Sequence, residues 1–125
     1  HLIVRAAIEN PPGPNDTELV DDVMRGLIAH VRMRQLSEPN TLWCDEEGNE
    51  GITSICLLTT SHTVMHIWNL PEPQKSIFEF DLYSCSSFTV EEVLDFLNSK
   101  FKLSDISWKF LDRETNLTII DQSKE

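Results

Sequence analysis

Basic residues are scarce in this chain: ten Lys and Arg stand against twenty-one Asp and Glu, for a formal net charge of −11. A surface that tracks nucleic-acid phosphates needs clustered cations, and here they are scattered, so no nucleic-acid partner is expected. The same scarcity argues against docking on an anionic membrane. Cysteine is limited to Cys44, Cys56 and Cys85, an odd number without C-x-x-C spacing. No complete intramolecular disulfide set can form from three thiols, and a reducing cytoplasm is the expected setting. Long apolar runs are missing too, none approaching the roughly 18 residues of a membrane span, and the first residues lack the basic-then-apolar pattern of a leader. A soluble protein with no membrane partner is expected, its acidity suited to a cationic substrate or product.

What is present fits one domain over residues 1–125, long enough to bury one core. Leu2-Ile3-Val4-Arg5-Ala6-Ala7-Ile8 reads as a strand that stops at Asn10-Pro11-Pro12-Gly13-Pro14, where the prolines remove backbone donors. Asn15 with Glu18 has the spacing of a helix cap. Leu19, Val20, Val23, Met24, Leu27, Ile28 and Val31 then recur at helical period, a stripe expected to pack the core. The stretch from Ser37 to Gly51 turns polar and is expected to be loop, with 45–51 its most mobile part. Strands are expected at 52–60, 62–68 and 77–84, and in the last of these Phe78, Phe80 and Leu82 face one way while Ile77, Glu79, Asp81 and Tyr83 face the other. Thr89-Val90-Glu91-Glu92 opens a second helix with capping-box spacing, and Ile106, Trp108 and Phe110 mark a final strand before a polar tail. Strands followed by helices, twice over, predict an α+β two-layer sandwich, a mainly antiparallel sheet with both helices on one face.

Chemistry concentrates in Thr60-Ser61-His62-Thr63-Val64-Met65-His66-Ile67-Trp68 and Asp81-Leu82-Tyr83-Ser84-Cys85. Taken singly these residues are ordinary: a serine on a strand is usually surface, and a lone cysteine is usually a small buried hydrophobe. His62 and His66 stand more than about 13 Å apart if the segment is extended, too far to share a zinc ion, so no metal site is expected. No serine-hydrolase elbow, phosphate-cradling Gly loop or H-E-x-x-H pattern is present.

Taken together, Gly51-Ile52-Thr53-Ser54, Thr60-Ser61-His62-x-x-x-His66-x-Trp68 and Asp81-Leu82-Tyr83-Ser84-Cys85 resemble the prokaryotic S-adenosylmethionine decarboxylases, and His1-Leu2-Ile3-Val4 is similar to that family's first strand. The resemblance covers residues 1 to about 101. It implies a proenzyme that cuts itself between Thr60 and Ser61 and turns Ser61 into a pyruvoyl group, with no pyridoxal phosphate and no metal. That ketone condenses with the substrate amine and takes up the electrons released with carbon dioxide. The resemblance further implies that His66 and Thr53 serve in processing and that Cys85 reprotonates the product carbon. His62 matches the histidine that follows the cut bond and is grouped with the substrate-binding residues. For an adenosyl substrate the resemblance implies Glu72 as the acid for the ribose hydroxyls and Trp43 and Leu2 as adenine contacts, with Trp68 in the core. A homodimer with its sites at the subunit interface, working in polyamine (spermidine) synthesis, completes what the family implies.

The chain departs from the family pattern at three places. Thr60 stands where a Glu is usual, Asn69-Leu70 separates Trp68 from Pro71-Glu72, and Ser86 replaces a Gly after the cysteine. These departures leave two other readings open: a pyruvoyl decarboxylase of another amino acid such as ornithine or arginine, and an unprocessed homologue that binds a nucleoside ligand or a partner subunit.

Overall fold

The computed structural model describes residues 1–124. Seven strands, β1 (Leu2–Glu9), β2 (Asn40–Cys44), β3 (Gly51–Leu58), β4 (Ser61–Trp68), β5 (Ser76–Ser84), β6 (Lys102–Asp112) and β7 (Thr118–Gln122), form one sheet, with helices α1 (Thr17–His30) and α2 (Val90–Lys100). The order across the sheet is β2-β3-β4-β5-β1-β6-β7, and every pairing is antiparallel. This is the two-layer α+β sandwich the sequence predicts.

Alternation decides which face is covered. On β1, Leu2, Val4, Ala6 and Ile8 are buried and share a side with Phe78, Phe80 and Leu82 of β5. Val20, Val23, Met24, Leu27 and Ile28 of α1 and Val93 and Leu97 of α2 complete this core. Burying a side chain of this size contributes about 1.5–3 kcal/mol. The close approach of β3 and β4 depends on Gly51, where a Cβ would lie 2.0 Å from the Ile67 carbonyl oxygen.

Among the described residues the opposite face carries no helix. Leu42, Thr53, His66, Glu79, Arg5 and Ser107 form one row across it, and Ile55, Val64, Asp81, Ile3 and Lys109 form the next. Four large apolar side chains lie exposed here: Ile3, Leu42, Ile55 and Leu57.

Three expectations are corrected. The polar stretch 37–51 contains β2, an edge strand whose burial is shallow throughout. The tail contains β7, which is exposed along its whole length and held by pairing to β6. Helix α1 starts one residue later than the Asn15 cap requires: Asp16 is the N-cap residue and its side chain makes no capping bond, because its carboxylate instead accepts from the Gly13 amide at 2.7 Å.

Candidate functional site

Strands β3 and β4 join through Thr59 and Thr60, since Leu58 and Ser61 are register partners. Two-residue hairpin turns favour residues that tolerate positive φ, which β-branched threonines resist. Neither threonine takes positive φ; Ser61 does instead, at φ 151°. An L-residue held there carries backbone strain on the order of 1–3 kcal/mol. The Thr60–Ser61 junction therefore lies at the tip of the β3–β4 hairpin, with the backbone strain held at Ser61.

Side chains and amides converge on that junction. Ser61 pairs with Ser84 at the end of β5, and the Cys85 N–H donates to the Thr60 carbonyl oxygen at 3.3 Å. The Thr60 and Ser84 hydroxyls are hydrogen-bonded at 2.8 Å. Ser61 Oγ lies 3.3 Å from His62 Nδ1, and His62 Nε2 lies 3.8 Å from Asp81 Oδ1. Asp81 also faces His1 Nε2 at 3.4 Å. Burial pushes the Asp81 carboxyl above its ordinary range, and the nearby His62, His66 and Arg113 pull it back. Tyr83 packs against both the His1 and His62 rings, and the Arg113 guanidinium sits 3.9 Å from the Tyr83 ring centre. Beside this cluster opens a cavity of about 410 Å³ lined by Ser84, Cys85, Phe88, Tyr83, Arg113 and others, with Cys85 exposed at its margin.

The second half of the sequence motif lies elsewhere on the same face. Thr53 Oγ1 is 3.0 Å from His66 Nδ1, and the His66 ring stacks on Trp68. His66 is five positions along β4 from Ser61, roughly 16 Å by the rise of a strand. One protomer therefore brings Ser61, His62 and Cys85 together but keeps Thr53 and His66 away from them. Glu72 is further still, beyond the far end of β4, where it lines a second cavity of about 570 Å³ with Asn10, Asn69 and Lys75.

The adenine contacts implied by resemblance are not on this face. Leu2 is fully buried in the core under the helices, and Trp43, paired with Ile52, packs on the same covered side. Trp68, expected in the core, lies instead on the open face, where its Nε1–H donates to Asn49 Oδ1 at 3.0 Å. Residue type and spacing alone mark no role for Asp81, Tyr83, Arg113 and His1. Alternation along β5 already put Asp81 and Tyr83 on the open side, whereas nothing periodic marks Arg113, which follows β6.

The fold is a two-layer α+β sandwich, and in it a cysteine amide meets the carbonyl that precedes Ser61. A family model described as S-adenosylmethionine decarboxylase matches residues 1–114, and the chain belongs to that family. No curated protein matches the chain. Family membership supports a function of the S-adenosylmethionine decarboxylase type. Among the described residues no helix is long and apolar enough to cross a membrane, and no three His, Cys, Asp or Glu side chains converge as a metal site.

Proposed function

We propose that this chain is a self-processing decarboxylase of S-adenosylmethionine whose working unit is a homodimer, serving polyamine (spermidine) synthesis. The single observation that carries the reading is the Thr60–Ser61 junction, where the serine hydroxyl adjoins a carbonyl already accepting a hydrogen bond from the Cys85 amide. A donor aimed at the carbonyl oxygen stabilises the charge that develops there as a hydroxyl attacks. Attack by Ser61 Oγ on the Thr60 carbonyl carbon breaks the peptide bond and leaves an ester. Removal of the Ser61 Cα proton then expels the Thr60 carboxylate, and addition of water with loss of ammonia leaves a ketone at position 61. The residues at the junction fit such a group: Ser61 supplies its carbons, and Cys85, whose amide holds the Thr60 carbonyl, also lines the adjoining cavity. When formed, the pyruvoyl group supplies an electron sink for the carboxylate carbon's bonding pair.

The roles of the other residues follow from where they lie. The Cys85 thiol, exposed at the cavity margin, is the acid that returns a proton to the product carbon. Arg113 and Tyr83 give the same cavity a cation and an aromatic face. Thr53, His66 and Glu72 are too far along the sheet to serve the Ser61 of their own chain. Packing of two open faces about a two-fold axis would bring these residues of the partner subunit to each junction, and would cover Ile3, Leu42, Ile55 and Leu57.

Intact mass of the incubated protein tests the reading. Two fragments are expected, split between residues 60 and 61 and summing to the chain plus one water minus one ammonia, and Ser61→Ala should remain whole. An intact, carbonyl-free chain after prolonged incubation would remove the claim.

A further inference from the structure

We propose that His62 is the base that starts this self-cleavage, accepting the Ser61 hydroxyl proton on Nδ1, and that Asp81 is the positioning residue that keeps Nδ1 free to do so. The inference rests on the reading that Ser61 is converted. Three observations at the start of β4 carry it. Ser61 Oγ is 3.3 Å from His62 Nδ1, the other ring nitrogen of His62 is 3.8 Å from Asp81 Oδ1, and that carboxylate oxygen is buried without a hydrogen-bond partner of its own. A neutral imidazole carries its proton on one nitrogen only. A carboxylate facing Nε2 favours the proton there, which leaves the Nδ1 lone pair toward the serine.

The surroundings of Asp81 are consistent with that role. Arg113 Nη1 donates to His1 Nδ1 at 3.0 Å, which puts the His1 ring proton on Nε2; that nitrogen lies 3.4 Å from Asp81 Oδ1 without forming a hydrogen bond to it. Tyr83 wedges between the two imidazole rings, with centroid distances of 5.4 Å to His1 and 5.6 Å to His62, and so restricts their rotation. The charged and titratable groups facing the dyad are thus His1, just before β1, His66 from β4, Tyr83 from β5 and Arg113 from the segment after β6. Within the protomer His66 cannot take the hydroxyl proton, being five positions further along the same strand.

The step balances without any outside reagent. The Ser61 O–H bond breaks and its proton passes to His62 Nδ1, while Oγ bonds to the Thr60 carbonyl carbon, whose oxygen is held by the Cys85 amide. The carbon–nitrogen bond to Ser61 then breaks, and the nitrogen takes the proton from His62 as it leaves. His62 ends neutral, and the product is an ester with a free amine.

Esters, unlike peptide bonds, are cut rapidly by hydroxylamine, and this separates ester formation from the later elimination. Chains carrying His62→Gln, Asp81→Asn, Asp81→Glu or His66→Ala, and the parent, are incubated with and without hydroxylamine and read by intact mass, with circular dichroism confirming the fold. His66→Ala is expected to stall as an ester and to release both fragments in hydroxylamine, whereas His62→Gln stays whole, its splitting slowed by about 10² or more. Asp81→Asn slows splitting on the order of tenfold or more and Asp81→Glu recovers part of the rate. Free imidazole should accelerate splitting of a folded His62→Gly chain, an effect that a packing defect would not give. Release of fragments from His62→Gln by hydroxylamine as fast as from His66→Ala, or its maturation at the parental rate, overturns the assignment. If the parent and His66→Ala both stay whole in hydroxylamine, the Ser61 reading itself fails and this inference with it.

Discussion

The three cysteines occupy three different environments, and only one of them touches the proposed chemistry. Cys56 is 1% exposed, its thiol donates to the Ser37 carbonyl at 3.3 Å, and burial pushes its pKa up. Cys44 is half-buried at the end of β2, and Cys85 is exposed. A maleimide should therefore label Cys85 first and Cys56 only on unfolding, as peptide mapping of a timed reaction would show; early labelling of Cys56 would contradict the core placement. Cys85 also contributes in two separable ways, its backbone amide to the Thr60 carbonyl and its thiol to the cavity. Cys85→Ala keeps the amide and loses the thiol. Splitting at 60/61 should persist in it while decarboxylation falls by on the order of 10² or more, measured as carbon dioxide released per split chain. Loss of splitting along with turnover would show that the thiol is needed earlier. Ser61, His62, Thr53, His66 and Cys85 were legible as a motif because residue type and spacing survive in one dimension. Asp81's relation to His62 was not, because it depends on cross-strand register.

At the scale of elements, α2 shows what a sequence signal can fix. Thr89 Oγ1 accepts from the Glu92 amide at 3.2 Å while the Glu92 carboxylate accepts from the Thr89 amide at 2.6 Å, so the expected capping box is closed in both directions. Arg32, just past α1, donates to the same carboxylate at 2.8 Å and ties the two helices together. Thr89→Ala should cost about 1 kcal/mol in urea unfolding. The hydrogen bond from Arg32, followed by that from the Thr89 amide, lowers the Glu92 pKa from 4.5 to about 2. Its folded value lies below the unfolded one, so its stabilising effect is complete above pH 4.5 and is lost as pH falls toward about 2. Glu92→Gln should flatten the acid dependence of stability in that window; an unchanged slope would mean the exposed pair is screened out. The equivalent signal at α1 misleads because Asp16 competes as the cap residue and turns its carboxylate back to Gly13. Strands with one buried face, β1, β3, β4 and β5, could be read from alternation. β7 buries neither face and β2 only partly buries one, so their pairing leaves little hydrophobic pattern to find.

At the scale of the molecule the decisive feature is a sheet covered on one side only, with its reactive groups at separated stations along the other. The strained junction with Cys85 lies at one end of β4, and the Thr53–His66 pair lies roughly 16 Å along it. A site assembled between two open faces predicts complementation. On the proposed reading Ser61→Ala cannot form the ester and His66→Ala cannot complete elimination, so each of the proposed homodimers should stay unsplit in the absence of hydroxylamine. Mixed and allowed to exchange subunits, they form hybrids in which His66 of the partner subunit, supplied by the Ser61→Ala chain, reaches the intact Ser61 of the His66→Ala chain. Intact mass tells the two chains apart, and only fragments of the His66→Ala chain should appear, at a yield that follows the hybrid fraction seen by native mass spectrometry. Hybrids that form without splitting would show that His66 does not act across the interface. A parent that stays monomeric by light scattering, yet splits at a rate independent of concentration, would confine the whole of self-cleavage to the groups that one protomer already holds at residue 61.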